Sequence, residues 1–269
     1  MNLVLQGASL GEAEVKKLAG GKAIHSLTPH AWRVRGASTV DTGFCDRHRI
    51  DYAFVAEGRR FADLKLVAMD MDSTLITMET IDELGDLAGK KPQIAAITER
   101  AMRGEIDYPE SLRQRVSLLK GLDEKGLLAV YEKRLKLSEG AEALLAACKT
   151  HGVKTLLVSG GFTFFVERLK TRLGIDHTVS NTLEIRDGRL TGKVLGDIVD
   201  ADAKAAKFHE VAKSFRKEQT VAIGDGANDL KMMAQAGYSV AFRAKPVVRA
   251  QASCALNWSG LDGVLNLFE

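Results

Sequence analysis

Three stretches of this chain gather residues that can do chemistry. They are Asp70-Met71-Asp72-Ser73-Thr74, Ser159-Gly160-Gly161 and Gly224-Asp225-Gly226-Ala227-Asn228-Asp229. Each follows directly on a short apolar run, the pattern of a buried parallel strand that hands over to a loop. In a doubly wound fold, ligands bind beyond the carboxyl ends of the strands, so the three clusters are predicted to meet at one site. Four acids brought together there (Asp70, Asp72, Asp225 and Asp229) would repel one another unless a cation joined them. An all-oxygen site with open positions suits Mg²⁺ better than zinc, and Mg²⁺ in turn suits a phosphate. Ser159 and the two glycines, just ahead of a helix, offer N–H groups to phosphoryl oxygens. A lysine close by would complete the neutralisation of charge. Each motif alone is weak, because Asp-x-Asp-x-Thr arises by chance and the other two are ordinary turn or cap sequences. Their shared position at strand ends, in order, carries the inference.

The surrounding pattern supplies those strands. Leu64 to Met69, Val153 to Val158, Thr220 to Ile223 and Tyr238 to Phe242 read as strands. Phe164–Leu173, Ala201–Phe215 and Asp229–Ala236 read as helices between and after them. Such alternation predicts an α/β fold, a parallel sheet covered by helices. Thr182 to Arg186 and Arg189 to Gly192 flank Asp187-Gly188, the signature of a hairpin. After Thr77 the pattern stays helical to Leu135, giving about four helices inserted behind the first core strand. Thr80-Ile81-Asp82-Glu83 has the form of a capping box, and Asp107-Tyr108-Pro109-Glu110 that of a helix start. Ahead of this core, residues 1–63 show short strands (Leu3 to Leu5, Ala31 to Arg35, Tyr52 to Ala56) and a helix near Gly11 to Leu18. They predict a small α+β module without legible chemistry. The expected organisation is therefore a module over 1–63 and a core over 64–269, with a helical cap inserted at about 77–136.

Composition narrows the function classes. A net charge of +3 is too small for a nucleic-acid surface, and no dense Lys/Arg stripe with interleaved aromatics occurs. No run approaches the roughly 18 apolar residues of a membrane helix. The N-terminus shows no basic leader followed by a long apolar segment, so no signal peptide is expected. Cys45, Cys148 and Cys254 are distant and odd in number, which fits a reduced, cytoplasmic protein rather than a zinc site or a disulfide framework. Trp32 and Trp258 read as packing residues.

Asp70 to Thr74, Val158 to Gly161, Lys204 and Gly224 to Asp229 together resemble the four signatures of the haloacid dehalogenase superfamily. Glu79, Ala101 to Gly104 and Ser111 to Leu119 resemble its phosphoserine phosphatase branch, and the resemblance covers about Leu64 to Glu269. It implies a HAD-like Rossmannoid core with a helical-bundle cap and Mg²⁺-dependent hydrolysis of O-phospho-L-serine, the last step of L-serine biosynthesis. In that reading Asp70 is the nucleophile that becomes phosphorylated, and Asp72 is the general acid and then the base. Ser159, Gly160 and Lys204 bind the phosphoryl group. Asp70, the backbone carbonyl of Asp72, and Asp225 hold the metal, supported by Asn228 and Asp229. Glu79 faces the substrate ammonium, Arg115 takes its carboxylate, and Met102 and Tyr108 line the cap side. Tyr108 stands where the family often has phenylalanine.

By spacing alone these assignments stay open. Arg115 reads equally as surface, Glu79 as a charge favouring a helix N-terminus and Met102 as core; Lys204 is one of several lysines in its helix. The site also leaves room for a phosphotransferase that passes the group to an alcohol such as homoserine, and for a broader phosphomonoesterase. A non-catalytic binding protein is disfavoured by the intact set Asp70, Asp72, Lys204 and Asp225. The expected partner is a small phosphomonoester, with no nucleic acid and no membrane; a homodimer is compatible, and residues 1–63 are expected to serve assembly or regulation.

Overall fold

A computed structural model describes residues 1–269. The first elements are β1 (Asn2–Gln6), α1 (Glu12–Ala19), β2 (Ile24–Thr28), β3 (Ala31–Arg35), α2 (Thr42–Arg47) and β4 (Asp51–Val55). They form an antiparallel four-stranded sheet in the order β2-β3-β1-β4. Strand β1 is buried along its whole length, and its alternate residues explain why. Leu3 and Leu5 pack with Val15, Ala19 and Cys45 beneath α1 and α2, whereas Val4, Ala53 and Val55 face the large core of the rest of the chain. A strand covered on both faces reads as a continuous apolar run.

The remainder carries β5 (Leu66–Met69), α3 (Thr80–Leu87), α4 (Lys91–Met102), α5 (Tyr108–Ser117), α6 (Glu124–Lys133), α7 (Ala141–His151), β6 (Lys154–Phe162) and α8 (Thr163–Leu173). It continues with β7 (His177–Arg186), β8 (Arg189–Leu195), α9 (Ala201–Ala212), β9 (Thr220–Gly224), α10 (Leu230–Gln235), β10 (Tyr238–Phe242), α11 (Pro246–Arg249) and β11 (Cys254–Leu256). Seven strands make one sheet in the order β11-β10-β9-β5-β6-β7-β8. All its pairings are parallel except β7 with β8, the hairpin on Asp187-Gly188. The α/β fold with a mostly parallel sheet is the one the alternating pattern predicts.

Strand β5 is central, with β9 on one side and β6 on the other. Val67 and Met69 point into one core, Leu66 and Ala68 into the other. Full burial of such side chains contributes roughly 1.5–3 kcal/mol each, which fixes the register of the strand that ends at Asp70. Beyond it, Met71 to Leu75 make a wide turn closed by the Ile76 N–H on the Met71 carbonyl at 2.9 Å. The chain then enters α3 to α6 and returns beside itself, where Ile76 bridges Leu137 and the Thr77 N–H donates to the Lys136 carbonyl.

Several boundaries differ from the sequence reading. Helix α9 stops at Ala212 rather than Phe215, and β5 begins at Leu66 rather than Leu64. Strands β2 and β11 carry too weak a pattern to single out, whereas α7 is an omission of the sequence reading, since Ala141, Leu144, Leu145 and Cys148 fall at helical spacing between Gly140 and Gly152. The capping box assigned to Thr80 is not formed: Glu79 precedes the helix, and the Thr80 N–H is taken by Asp72. A tertiary acceptor displaced the local one.

Polar anchors tie the two sheets together. Asp51 accepts hydrogen bonds from the backbone N–H groups of Asn257 (2.7 Å), Trp258 (3.0 Å) and Ser259 (2.8 Å). Arg33 donates to the carbonyls of Asn266 and Phe268, and Gln6 bonds Gly263 and Asn266. Burial lifts the Asp51 carboxyl above its ordinary value, while the three N–H donors pull it back part-way. Removing that acceptor strands donors that folding has already desolvated. Asp51→Ala is expected to cost about 3 kcal/mol of unfolding free energy, read as an earlier urea midpoint at unchanged m-value; an unchanged midpoint would show that this anchor is dispensable.

Candidate active site

The carboxyl ends of β5, β6 and β9 converge under the cap. There they line a cavity of about 540 Å³ whose wall includes Asp70, Asp72, Gly160, Asp225 and Asn228 from the sheet side. Glu79, Met102, Tyr108 and Arg115 line it from the cap side. Ser159 and Lys204 are wholly buried beside this wall, and Asp229 lies behind it. Met102, at 70% exposed, stands at the mouth rather than deep in the wall.

Lys204 is the electrostatic centre. Its ammonium lies 2.7 Å from Asp70 Oδ2 and 2.8 Å from Asp229 Oδ1. Burial alone would lower its pKa, but the two carboxylates reverse the sign and hold it protonated. Asp70 Oδ1 accepts from the Met71 N–H at 2.7 Å, so both its oxygens have partners. The Asp70 carboxyl is nevertheless raised, by burial first and then by Asp229, against the pull of Lys204.

Asp72 occupies a different environment. Its Oδ1 accepts from the Thr80 N–H at 2.9 Å and its Oδ2 from the Thr80 hydroxyl at 3.3 Å. Burial, and then the charge of Glu79, push it up to about 8 despite those donors. Glu79 itself accepts from the Ser73 hydroxyl at 2.6 Å. Ser73 has φ +56°, a left-handed conformation that a non-glycine residue holds only where its surroundings impose it.

Ser159-Gly160-Gly161 is not the loop after a strand that the sequence predicts but an irregular stretch inside β6, packed closely against its neighbours. A Cβ on Gly161 would run into the Asp72 carboxylate, and one on Gly160 into the Tyr108 hydroxyl. Ser159 Oγ accepts from the Gly161 N–H at 2.8 Å, which leaves its own O–H free to donate. The Gly160 carbonyl accepts from the Tyr108 hydroxyl at 3.3 Å and from Asn181 Nδ2 at 2.7 Å. Asn181 Oδ1 in turn accepts from the Val199 N–H, just ahead of the helix that bears Lys204. Asn181 thus braces two parts of the site, yet a lone asparagine in a strand pattern gives no sequence signal of that role. Lys245 was also missed: its backbone N–H donates to the Asp225 carbonyl and its side chain lines the cavity.

On the cap, Arg115 is half-buried and its Nε donates to the Ser111 carbonyl at 3.3 Å. No carboxylate of the protein pairs with its guanidinium. An arginine at a cavity wall without a carboxylate partner is suited to an anionic ligand.

Asp70, Asp225 and Asp229 each place a carboxylate oxygen within 4.8 Å of the others. The Asp225 carboxyl is pushed up to about 6, by burial and then by Asp229 and Glu79. An all-oxygen donor set of three crowded carboxylates fits a hard divalent cation.

Comparison with known proteins agrees with this geometry. The profile of the haloacid dehalogenase-like hydrolase family matches residues 67–234. The chain belongs to that family. A phosphoserine phosphatase of Polaromonas sp. is 54% identical over 217 residues, 78% of this chain and 92% of that protein. A HAD family hydrolase from Salmonella enterica superposes with a TM-score of 0.89 at 32% identity, over 100% of this chain and 98% of its own. A probable phosphoserine phosphatase from Vibrio cholerae does so with a TM-score of 0.86 at 38% identity, over 99% of this chain and 85% of its own. These two likenesses extend over the N-terminal sheet, whereas the profile match begins at β5. As a member of this family the chain is a hydrolase with the acidic cluster that a metal-dependent phosphatase requires.

A cation that binds only the folded chain stabilises it by about 2.7 kcal/mol at a hundredfold excess over Kd. Melts with added divalent cation should show that rise, and Asp225→Asn should lose it. Without cation, the raised Asp225 carboxyl contributes stability below its ordinary pKa of 3.8, and that contribution is lost as pH rises through about 6. The cation-free melting temperature should therefore fall across that window, and Asp225→Asn should flatten the fall. A wild-type melting temperature indifferent to divalent cations would exclude the site.

Proposed function

We propose that this chain is a Mg²⁺-dependent phosphoserine phosphatase, which hydrolyses O-phospho-L-serine to L-serine and phosphate through an aspartyl-phosphate on Asp70. One observation carries the substrate: a single cavity is lined by Asp70 and Asp72 on the sheet side and by Glu79 and Arg115 on the cap side. Such a cavity pairs a phosphoryl-accepting carboxylate with groups able to read both charges of an amino-acid head. The identity to curated phosphoserine phosphatases over most of the chain supports the same reading.

In this mechanism an Asp70 oxygen attacks phosphorus, forming an Asp70–O–P bond while the P–O bond to serine breaks. Asp72, whose carboxyl is pushed up to about 8, retains its proton near neutral pH and gives it to the leaving serine oxygen. It then accepts a proton from the water that attacks phosphorus and releases phosphate from Asp70. Lys204 spends two N–H donors on Asp70 and Asp229, leaving the third for a phosphoryl oxygen. The free Ser159 O–H and the Gly160 backbone serve the remaining phosphoryl oxygens. Asp70, the Asp72 backbone carbonyl and Asp225 would hold Mg²⁺, with Asn228 and Asp229 in support. When bound, the ion supplies positive charge that draws the phosphoryl group toward an anionic nucleophile. Glu79 takes the substrate ammonium and Arg115 its carboxylate, with Met102 and Tyr108 bounding the head group. Residues 1–63 place no side chain in this cavity, which supports a role for them in assembly or regulation.

The test is phosphate release from O-phospho-L-serine with Mg²⁺, beside EDTA and a panel of other phosphomonoesters. Activity should vanish with EDTA and in Asp70→Asn. Arg115→Ala should lower kcat/KM for phosphoserine by about a hundredfold, in keeping with loss of a charge-assisted bidentate contact. Equal turnover of all esters would discard the head-group assignment, and a phosphorylated product on added homoserine would make the chain a phosphotransferase.

A further inference from the structure

Helix α5 places one more polar residue, Ser111, in the cavity wall. Ser111 lies one turn before Arg115, so the two side chains share a helix face. Its residue is only 1% exposed, and it lines the same cavity as Arg115 and Tyr108. Ser111 Oγ has no hydrogen-bond partner within the protein. The other buried side-chain atoms in that condition, on Asn2, Trp32, Arg33, Tyr238 and Ser259, all lie away from this cavity.

An orphaned hydroxyl in a protein interior calls for an explanation, because desolvating it without a partner is unfavourable. Local chemistry offered an easy remedy that the structure does not use. A helical serine can donate back to the carbonyl four residues earlier, but the Asp107 carbonyl receives the Ser111 N–H and not its hydroxyl. The Ser111 carbonyl, meanwhile, holds Arg115 Nε. The residue therefore orients the guanidinium with its backbone and keeps its side-chain donor in reserve on the same face.

We infer that Ser111 is a specificity-determining residue whose hydroxyl donates to the substrate carboxylate beside Arg115. This assignment rests on the phosphoserine reading above and deepens it: the head group is read by two donors one helical turn apart. The hydroxyl has nothing to offer an ammonium that the nearby carboxylates do not offer better. The groups proposed above for the phosphoryl oxygens, Ser159, Gly160 and Lys204, belong to β6 and α9 rather than to α5.

Ser111→Ala separates this role from a structural one, because it deletes one atom that supports nothing in the free protein. The variant should melt at or above the wild-type temperature. Its KM for O-phospho-L-serine should rise about tenfold, equivalent to about 1.4 kcal/mol, with kcat little changed. Inhibition by inorganic phosphate, which carries no carboxylate, should keep its wild-type constant. An unchanged KM would overturn the assignment, as would a parallel weakening of phosphoserine and inorganic phosphate. A lowered melting temperature would instead give the hydroxyl a structural role. If the wild-type enzyme does not turn over phosphoserine, the substrate reading falls first, independently of any Ser111 variant.

Discussion

Lys204 is wholly enclosed, with an ammonium 2.7 Å from Asp70 and 2.8 Å from Asp229. A lone charge in that position would be intolerable, and so would either carboxylate. Three segments distant in sequence must therefore arrive together: the end of β5, the second turn of α9 and the loop after β9. The cost of misplacing any one of them falls on the other two. This interdependence explains why the surrounding sheet is so completely apolar. Leu66 to Met69, Leu156 to Val158 and Val221 to Ile223 leave the strands no freedom to slip register. The hydrophobic layer supplies the stability and rigidity from which a cluster of acids can be held in tension.

The acids of this cluster are not equivalent. Two carboxyls two residues apart sit in different surroundings: Asp70 faces Lys204 and the acidic cluster, whereas Asp72 faces Thr80 and Glu79. Burial raises both carboxyls, but their partners differ: a buried ammonium and a second acid for Asp70, the start of α3 and Glu79 for Asp72. The turn that joins them puts Ser73 in a left-handed conformation and hands the Asp72 oxygens to the start of α3. The first helix of the cap thus begins on a carboxylate of the cavity wall, which accepts from the Thr80 N–H and hydroxyl. Tyr108 makes a second link, since its hydroxyl donates to the Gly160 carbonyl near the end of β6. Cap and core meet through the site itself, and a change in cap position is felt there directly.

The N-terminal sheet is joined to the core in another way. Asp51, Arg33 and Gln6 all bond backbone groups between Asn257 and Phe268. The segment they grip follows β11, the strand at the far edge of the sheet beyond β10. The β10–α11 connection carries Lys245, whose N–H meets the Asp225 carbonyl. The N-terminal sheet therefore fastens the edge of the sheet that lies nearest the Asp225 loop, while contributing no side chain to the cavity.

The sequence determined most of the core elements and the chemical inventory. Apolar runs that stop at Asp70, Ser159 and Gly224, alternating with helical patterns, read as covered strands, and the Asp-Gly pair at 187 and 188 as a tight turn between strands. The α/β class and the meeting of three motifs at one end of a sheet follow from that pattern. Partnership was beyond its reach. Nothing in the spacing of α9 separates Lys204 from Lys207, since the choice is made by which side chain faces a carboxylate carried on another strand. The cap of α3 belonged locally to Thr80, and tertiary structure gave it to Asp72. Asn181 and Ser111 have no role legible in their own spacing until packing buries them, one with both ends of its amide engaged and the other with its hydroxyl unspent. Local pattern encodes which face of an element is apolar. Which polar atoms meet across elements is settled only when burial removes water as the alternative partner.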